Sequence, residues 1–88
     1  MKKVYDVFTD PSNGWIKVKL SELKSLGIED KITPFSFTRG EYAYLEEDCD
    51  FSTFHDAKRT QGVEIKFKNH HTNKYSKIRS YQRYTIGT

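Results

Sequence analysis

The sequence predicts an α+β fold: a small antiparallel-rich sheet with two helices packed on one face, in a single domain spanning residues 1–88. Three observations predict it. Apolar residues alternate with polar ones over short segments, as at Trp15-Ile16-Lys17-Val18-Lys19 and from Val63 to Lys68. Two segments with helical spacing are each closed by a glycine, Gly27 and Gly62. Finally, apolar residues make up 35% of the chain and charged residues 31%, so six Phe, six Tyr and one Trp must supply much of the core. The order read along the chain is β-β-α-β-β-α-β-β.

Val4 to Thr9 reads as a short strand. Asp10-Pro11-Ser12-Asn13-Gly14 gathers turn-forming residues, with Pro to fix φ and Gly to accept a positive one. Trp15 to Lys19 is the second strand. Ser21 is placed to cap a helix running through Leu26, and Gly27 fits the left-handed position that folds Ile28 back onto Leu23.

Phe35-Ser36-Phe37-Thr38 and Glu41 to Leu45 form a hairpin in one of two registers. With Arg39-Gly40 as a two-residue loop, Phe37 faces Tyr42 and Phe35 faces Tyr44, so four rings share a face. A three-residue loop with Gly40 as a bulge puts Tyr42 and Tyr44 on the face opposite Phe35 and Phe37. Glu46-Glu47-Asp48-Cys49-Asp50 leads into a second helix, capped by Asp48 or Asp50 and ended by Gly62, with Phe51, Phe54 and Ala57 or Lys58 along one side. Val63, Ile65 and Phe67 mark a half-buried strand. Asn69 to Asn73 is a polar connection, and a last strand runs from Lys77 to Ile86.

Charge is divided along the chain. Residues 1–57 hold 7 Lys/Arg and 11 Asp/Glu, a net of −4, whereas residues 58–88 hold 8 Lys/Arg and Glu64 alone, a net of +7. A field confined to one third of the chain draws partners of opposite sign. In an extended C-terminal strand Lys77, Arg79, Tyr81 and Arg83 project to one side, and Ile78, Tyr84 and Ile86 to the other. Lys66 and Lys68 extend the basic set if the preceding strand pairs with it.

Lysine and arginine around a tyrosine contact phosphates and stack on bases, so Lys66, Lys68, Lys77, Arg79, Tyr81 and Arg83, with Tyr75 as a second ring, are the candidate nucleic-acid-binding residues. The same face would serve an acidic protein. Two plainer readings stand beside these: the basic edge guards against aggregation, or the acidic and basic segments neutralise each other in the fold. No RNP aromatic pattern, GXXG loop or zinc-knuckle spacing occurs.

Chemistry beyond binding finds less support. Asp48 and Asp50 resemble a cation-binding pair, but a helix start accounts for them and its field disfavours a cation. His70 and His71 are adjacent, and neither they nor His55 and Cys49 have zinc-site spacing. No metal or other cofactor is therefore expected. A small endoribonuclease would draw on His55, His70 or His71 with Arg79, Tyr81 and Arg83; those residue types are present without a motif that orders them, and no enzyme is expected. Trp15 is read as core, with an exposed protein-interaction anchor as the alternative.

Asp10-Pro11-x-x-Gly14-Trp15, Leu26-Gly27-Ile28, Arg39-Gly40, Tyr44-Leu45-Glu46-Glu47-Asp48-Cys49-Asp50 and Ile78-Arg79-Ser80-Tyr81-x-Arg83 resemble a group of small uncharacterised proteins encoded by phages and plasmids. Asn13 stands where that group carries a histidine, which argues against a catalytic role for the turn. The resemblance implies an accessory role in a mobile element, exercised by binding nucleic acid or a host protein complex such as a defence system. With one cysteine, no N-terminal apolar segment and no apolar run of membrane-spanning length, the chain reads as cytoplasmic, with no membrane or small-molecule partner.

Overall fold

The structure, a computed structural model, describes residues 2–85. Their elements are β1 (Lys2–Thr9), β2 (Gly14–Lys19), α1 (Leu20–Leu26), β3 (Phe37–Arg39), β4 (Tyr42–Glu46), α2 (Phe51–Thr60), β5 (Glu64–His71), a 3₁₀ turn (Lys77–Ser80) and β6 (Gln82–Arg83). The described strands form one sheet in the order β5-β1-β2-β4-β3-β6, parallel between β1 and β5 and antiparallel elsewhere. The fold class is α+β, as the sequence predicts.

Alternation on the central strands separates two faces. Ile16 and Val18 on β2, Ala43 and Leu45 on β4 and Tyr5 on β1 point towards the helices and meet Leu23 of α1 and Phe54 of α2. Phe54 is fully buried, edge-on to Tyr5 at 5.2 Å. Both helices lie on this one side. At its margin Glu22 accepts the Tyr5 hydroxyl (2.6 Å) and pairs with the buried Lys58. Desolvation alone would raise the Glu22 carboxyl; hydrogen bonds from Lys58 and Tyr5 and the charges of Lys58 and Lys3 overcome it and hold it below its ordinary range.

Several elements form as expected. Gly27 is left-handed (φ 71°), and Ile28 N–H returns to the Leu23 carbonyl at 3.1 Å, closing α1 as a Schellman motif. Gly62 is also left-handed, and Val63 N–H bonds the Lys58 carbonyl.

Other elements differ for identifiable reasons. Ser21 lies inside α1; the helix starts from Lys19, and Leu20 N–H is satisfied by the Glu41 carbonyl (2.9 Å) instead of a side-chain cap. Asp50 occupies the N-cap of α2, but its carboxylate turns away from the helix to Thr33 and Ser36. The hairpin turns at Gly40-Glu41, pairing Arg39 with Tyr42 and Phe37 with Tyr44. A positive φ falls on Gly40 alone, the first central residue, which relieves Arg39 of an unfavourable conformation. Relative to the expected two-residue loop the strands slide by two residues, so Phe37, Tyr42 and Tyr44 still share a face while Phe35 precedes the strand. β5 continues through His71, absorbing most of the expected polar connection.

The expected C-terminal strand is replaced by a 3₁₀ turn and two extended residues. Ser76 caps the turn by accepting Ile78 N–H, the Ser80 hydroxyl bonds the Lys77 carbonyl, and Ile78 is buried against Trp15, Phe37 and Tyr44. Ile86, expected on the apolar side of that strand, lies outside the described residues.

Candidate nucleic-acid interface

The sheet face away from the helices divides into two parts. Over Trp15, Phe37 and Tyr44 it is covered by the 3₁₀ turn through Ile78, with Phe8, Tyr42 and Tyr81 at the margin. The rest carries side chains whose common orientation follows from register. Tyr42 pairs with Lys19 and with Arg39, Tyr44 pairs with Lys17, Asp6 lies beside Lys68, and Val4 lies beside Lys66. Lys17, Lys19, Arg39, Lys66 and Lys68 are thus brought to one face with Tyr42 and Tyr81. The Lys17 ammonium stands 4.1 Å from the Tyr42 ring centre, and the Arg39 guanidinium 5.0 Å from that of Tyr81.

An aromatic band crosses this face. His70 stacks on Phe8 at 4.9 Å, Phe8 meets Tyr44, and Tyr44 meets Tyr81 at 5.1 Å. Burial, with Tyr81 beside it, pushes the Tyr44 phenol up, so it remains a neutral ring. Between β1 and β2 a depression of about 360 Å³ opens, lined on this face by Val4, Asp6, Lys17, Lys19 and Tyr42. The acidic side chains on this face are Asp6, held by His70 Nε2 at 2.9 Å, Glu64, paired with Lys66, and at its far end the buried Glu46; Glu22 closes the depression from the helix side.

The expected C-terminal ladder does not form. β5 and β6 occupy opposite edges of the sheet, roughly 24 Å apart at the usual strand spacing, so Lys66 and Lys68 do not extend a β6 patch. Arg79 lies on the 3₁₀ turn and is bound to Asp10, by Nε at 2.7 Å and Nη2 at 3.0 Å. Arg83 donates to the Pro34 carbonyl and covers the Phe37 ring. Lys77 is exposed on the turn, and Tyr75 is exposed with Arg79 stacked on it. Tyr81 stands at the edge of the open region. Trp15, 1% exposed, is core and not an exposed anchor. Part of the charge split is therefore consumed internally: Arg79 by Asp10 and Lys58 by Glu22.

Asp10 is a residue that sequence reasoning assigned only to a turn. Its side chain is 0% exposed and accepts the N–H groups of Ser12, Asn13 and Ser76 as well as Arg79. The Arg79 hydrogen bonds, joined by those backbone donors, outweigh desolvation and hold its carboxyl well below the usual range. Lys17, Lys19, Arg39 and Tyr42 were also missed. The signal was present in the polar alternation of β2, which names an outward face without saying what lies next to it.

The remaining reactive side chains are separately engaged. His71 Nδ1 meets Thr9 Oγ1 at 2.8 Å and its Nε2 meets Asn73, whereas His55 packs on Phe51. Desolvation, the Glu46 carboxylate and the neighbouring charges of Asp50 and Asp48 push the Cys49 thiol up, away from a nucleophilic thiolate. Among the described residues no three His, Cys, Asp or Glu side chains converge as a metal site, and no helix is long and apolar enough to cross a membrane. Comparison with family models, curated proteins and solved structures found no match to the chain.

Proposed function

We propose that the protein binds single-stranded nucleic acid on the helix-free face of its sheet, as a non-enzymatic accessory protein of mobile-element type acting in the host cell interior. One observation carries this reading: Lys17, Lys19 and Arg39 stand around Tyr42 and Tyr81, and Lys66 and Lys68 continue the same face at its β5 edge, which no helix covers. Cations at that spacing neutralise phosphates, and half-buried phenol rings accept unstacked bases at low entropic cost. Duplex bases are already stacked and offer those rings nothing, so a single strand suits the face better.

Fluorescence-anisotropy titrations with labelled single-stranded RNA, single-stranded DNA and duplex DNA, each at low and physiological salt, test the proposal. Single strands are expected to bind more tightly than the duplex, with affinity falling steeply as salt rises. Replacing Lys17 and Arg39 together by alanine removes two phosphate contacts and should reduce the log–log salt slope by about 1.4. Replacing Lys24, exposed on α1 on the other side of the sheet, by glutamine should leave the slope nearly unchanged. No binding at low salt, or a slope indifferent to Lys17 and Arg39, defeats the reading. Capture of one discrete acidic host protein in place of nucleic acid would reassign the same face to a protein partner.

A further inference from the structure

At the far end of the same face, a pocket of about 240 Å³ is lined by Trp15, Phe35, Phe37, Glu46, Arg79 and Arg83. It is smaller than the roughly 300–1,000 Å³ typical of drug-sized sites and suits one planar ring system. Four chain segments build it: the Asp10 turn with Trp15, Phe35 and Phe37 at the start of β3, the end of β4, and the C-terminal segment with Arg79 and Arg83. Trp15 sits opposite Glu46 in the β2–β4 pairing, Phe37 opposite Arg83 in the β3–β6 pairing, and the Arg79 guanidinium lies over the indole at 5.5 Å.

The polar groups around this pocket have bonding capacity left over. Trp15 Nε1 is the one buried side-chain polar atom, among the described residues, that has no hydrogen-bond partner. Such orphans are rare in folded proteins and call for an acceptor. Glu46 accepts Asp48 and Cys49 N–H through Oε2, and Oε1 takes no part in those bonds. Arg79 gives Nε and Nη2 to Asp10, and Arg83 gives Nη1 to Pro34, so each retains a terminal nitrogen. Phe35, 62% exposed, supplies a ring at the rim with no other evident use.

We infer that this pocket receives a guanine base. The inference rests on the nucleic-acid reading above and specifies which base the bound strand presents here. Guanine offers two donors on its Watson–Crick edge, N1–H and the 2-amino group, which a carboxylate accepts. Its O6 and N7 are the acceptor pair that arginine recognises, and the indole beneath Arg79 forms the pocket wall. Adenine places an unprotonated N1 against Glu46 and a 6-amino group against the arginines, so both contacts are mismatched. Pyrimidines lack N7 and the ring area to reach Phe35.

The single tryptophan gives a direct readout, because the folded chain has one indole N–H resonance. The full ¹⁵N-labelled protein is titrated with 5′-GMP, 5′-AMP, 5′-CMP and 5′-UMP while that resonance is followed. The expected result is a saturable shift with GMP, at least about tenfold tighter than with the others. Phe35→Ala should weaken GMP binding by about tenfold without altering the thermal midpoint, since the ring is exposed. Arg83→Gln should narrow the preference for GMP over AMP.

An indole resonance that ignores GMP, or moves equally with all four nucleotides, overturns the inference. A parallel titration with a uridine-only oligonucleotide keeps the two readings apart. If the oligonucleotide binds while GMP leaves the indole unmoved, the pocket inference fails and the interface stands. If GMP binds specifically while no oligonucleotide does, the pocket stands and the strand-binding reading fails.

Discussion

Asp10→Ala is expected to destabilise the protein by about 3 kcal/mol, lowering its thermal midpoint by more than about 10 °C for a domain of this size. The side chain is wholly buried and carries its charge among donors alone: two arginine nitrogens and three backbone N–H groups. Removing it orphans all of these at once, and an unmade bond to a buried donor costs more than a made one contributes. The lower end of the range for broken buried pairs applies, because Arg79 is itself one-third exposed and regains water.

The pH dependence has a definite sign. Asp10 is held below its ordinary value in the fold, so its contribution is present above the unfolded carboxyl range, about pH 4, and is lost as pH falls towards the folded value. Wild type minus Asp10→Ala stability should therefore be flat from about pH 7 to 5 and shrink below about 4. Chemical denaturation across that interval checks it. A difference below about 1 kcal/mol at neutral pH, or one that grows on acidification, would refute the assignment. The same variant should weaken GMP binding at the indole, since Arg79 loses the partner that aims it over Trp15.

How much of this could be read beforehand follows the range of the interactions. Gly27 and Ile28 were legible because a Schellman motif is closed by neighbours in sequence. The central strands were legible because two-residue alternation survives whatever packs against it. The C-terminal segment misled because Lys77-Ile78-Arg79 alternates like a strand, while the deciding groups are the hydroxyls of Ser76 and Ser80 and the seat that Trp15, Phe37 and Tyr44 give Ile78. Asp10 declared itself as a turn residue, but its partner lies 69 positions away. The interface was the least legible part. Lys17 and Lys68 share a face only because β1 enters between β5 and β2, and Arg39 joins them only because the turn at Gly40-Glu41 takes it out of the expected loop and into β3. Local sequence records neither fact.

Asp50 provides the second large effect. Asp50→Ala should cost about 3–4 kcal/mol, against the about 1 kcal/mol expected had the residue simply capped α2. Its buried carboxylate accepts the Thr33 backbone N–H at 3.0 Å, the Thr33 hydroxyl at 2.8 Å and the Ser36 hydroxyl. Ser36 in turn accepts Glu46 N–H at 2.9 Å, and its carbonyl receives Tyr84 N–H. One anion thereby fixes the loop before β3, the end of β4 and the approach to the C-terminus.

Ser36→Ala should cost less alone, and the two substitutions together should cost about 1 kcal/mol less than their sum, because they act on one chain of hydrogen bonds. Strict additivity, or a loss from Asp50→Ala within the capping range, would show that the carboxylate does not organise the loop. The functional consequence follows from geometry. Phe35 lies between Thr33 and Ser36, the residues Asp50 holds, so loosening them displaces the ring from the pocket rim while leaving Lys17, Lys19 and Tyr42 in place. Asp50→Ala, assayed well below its midpoint, should therefore lose GMP binding and retain the salt-dependent binding of a uridine-only strand.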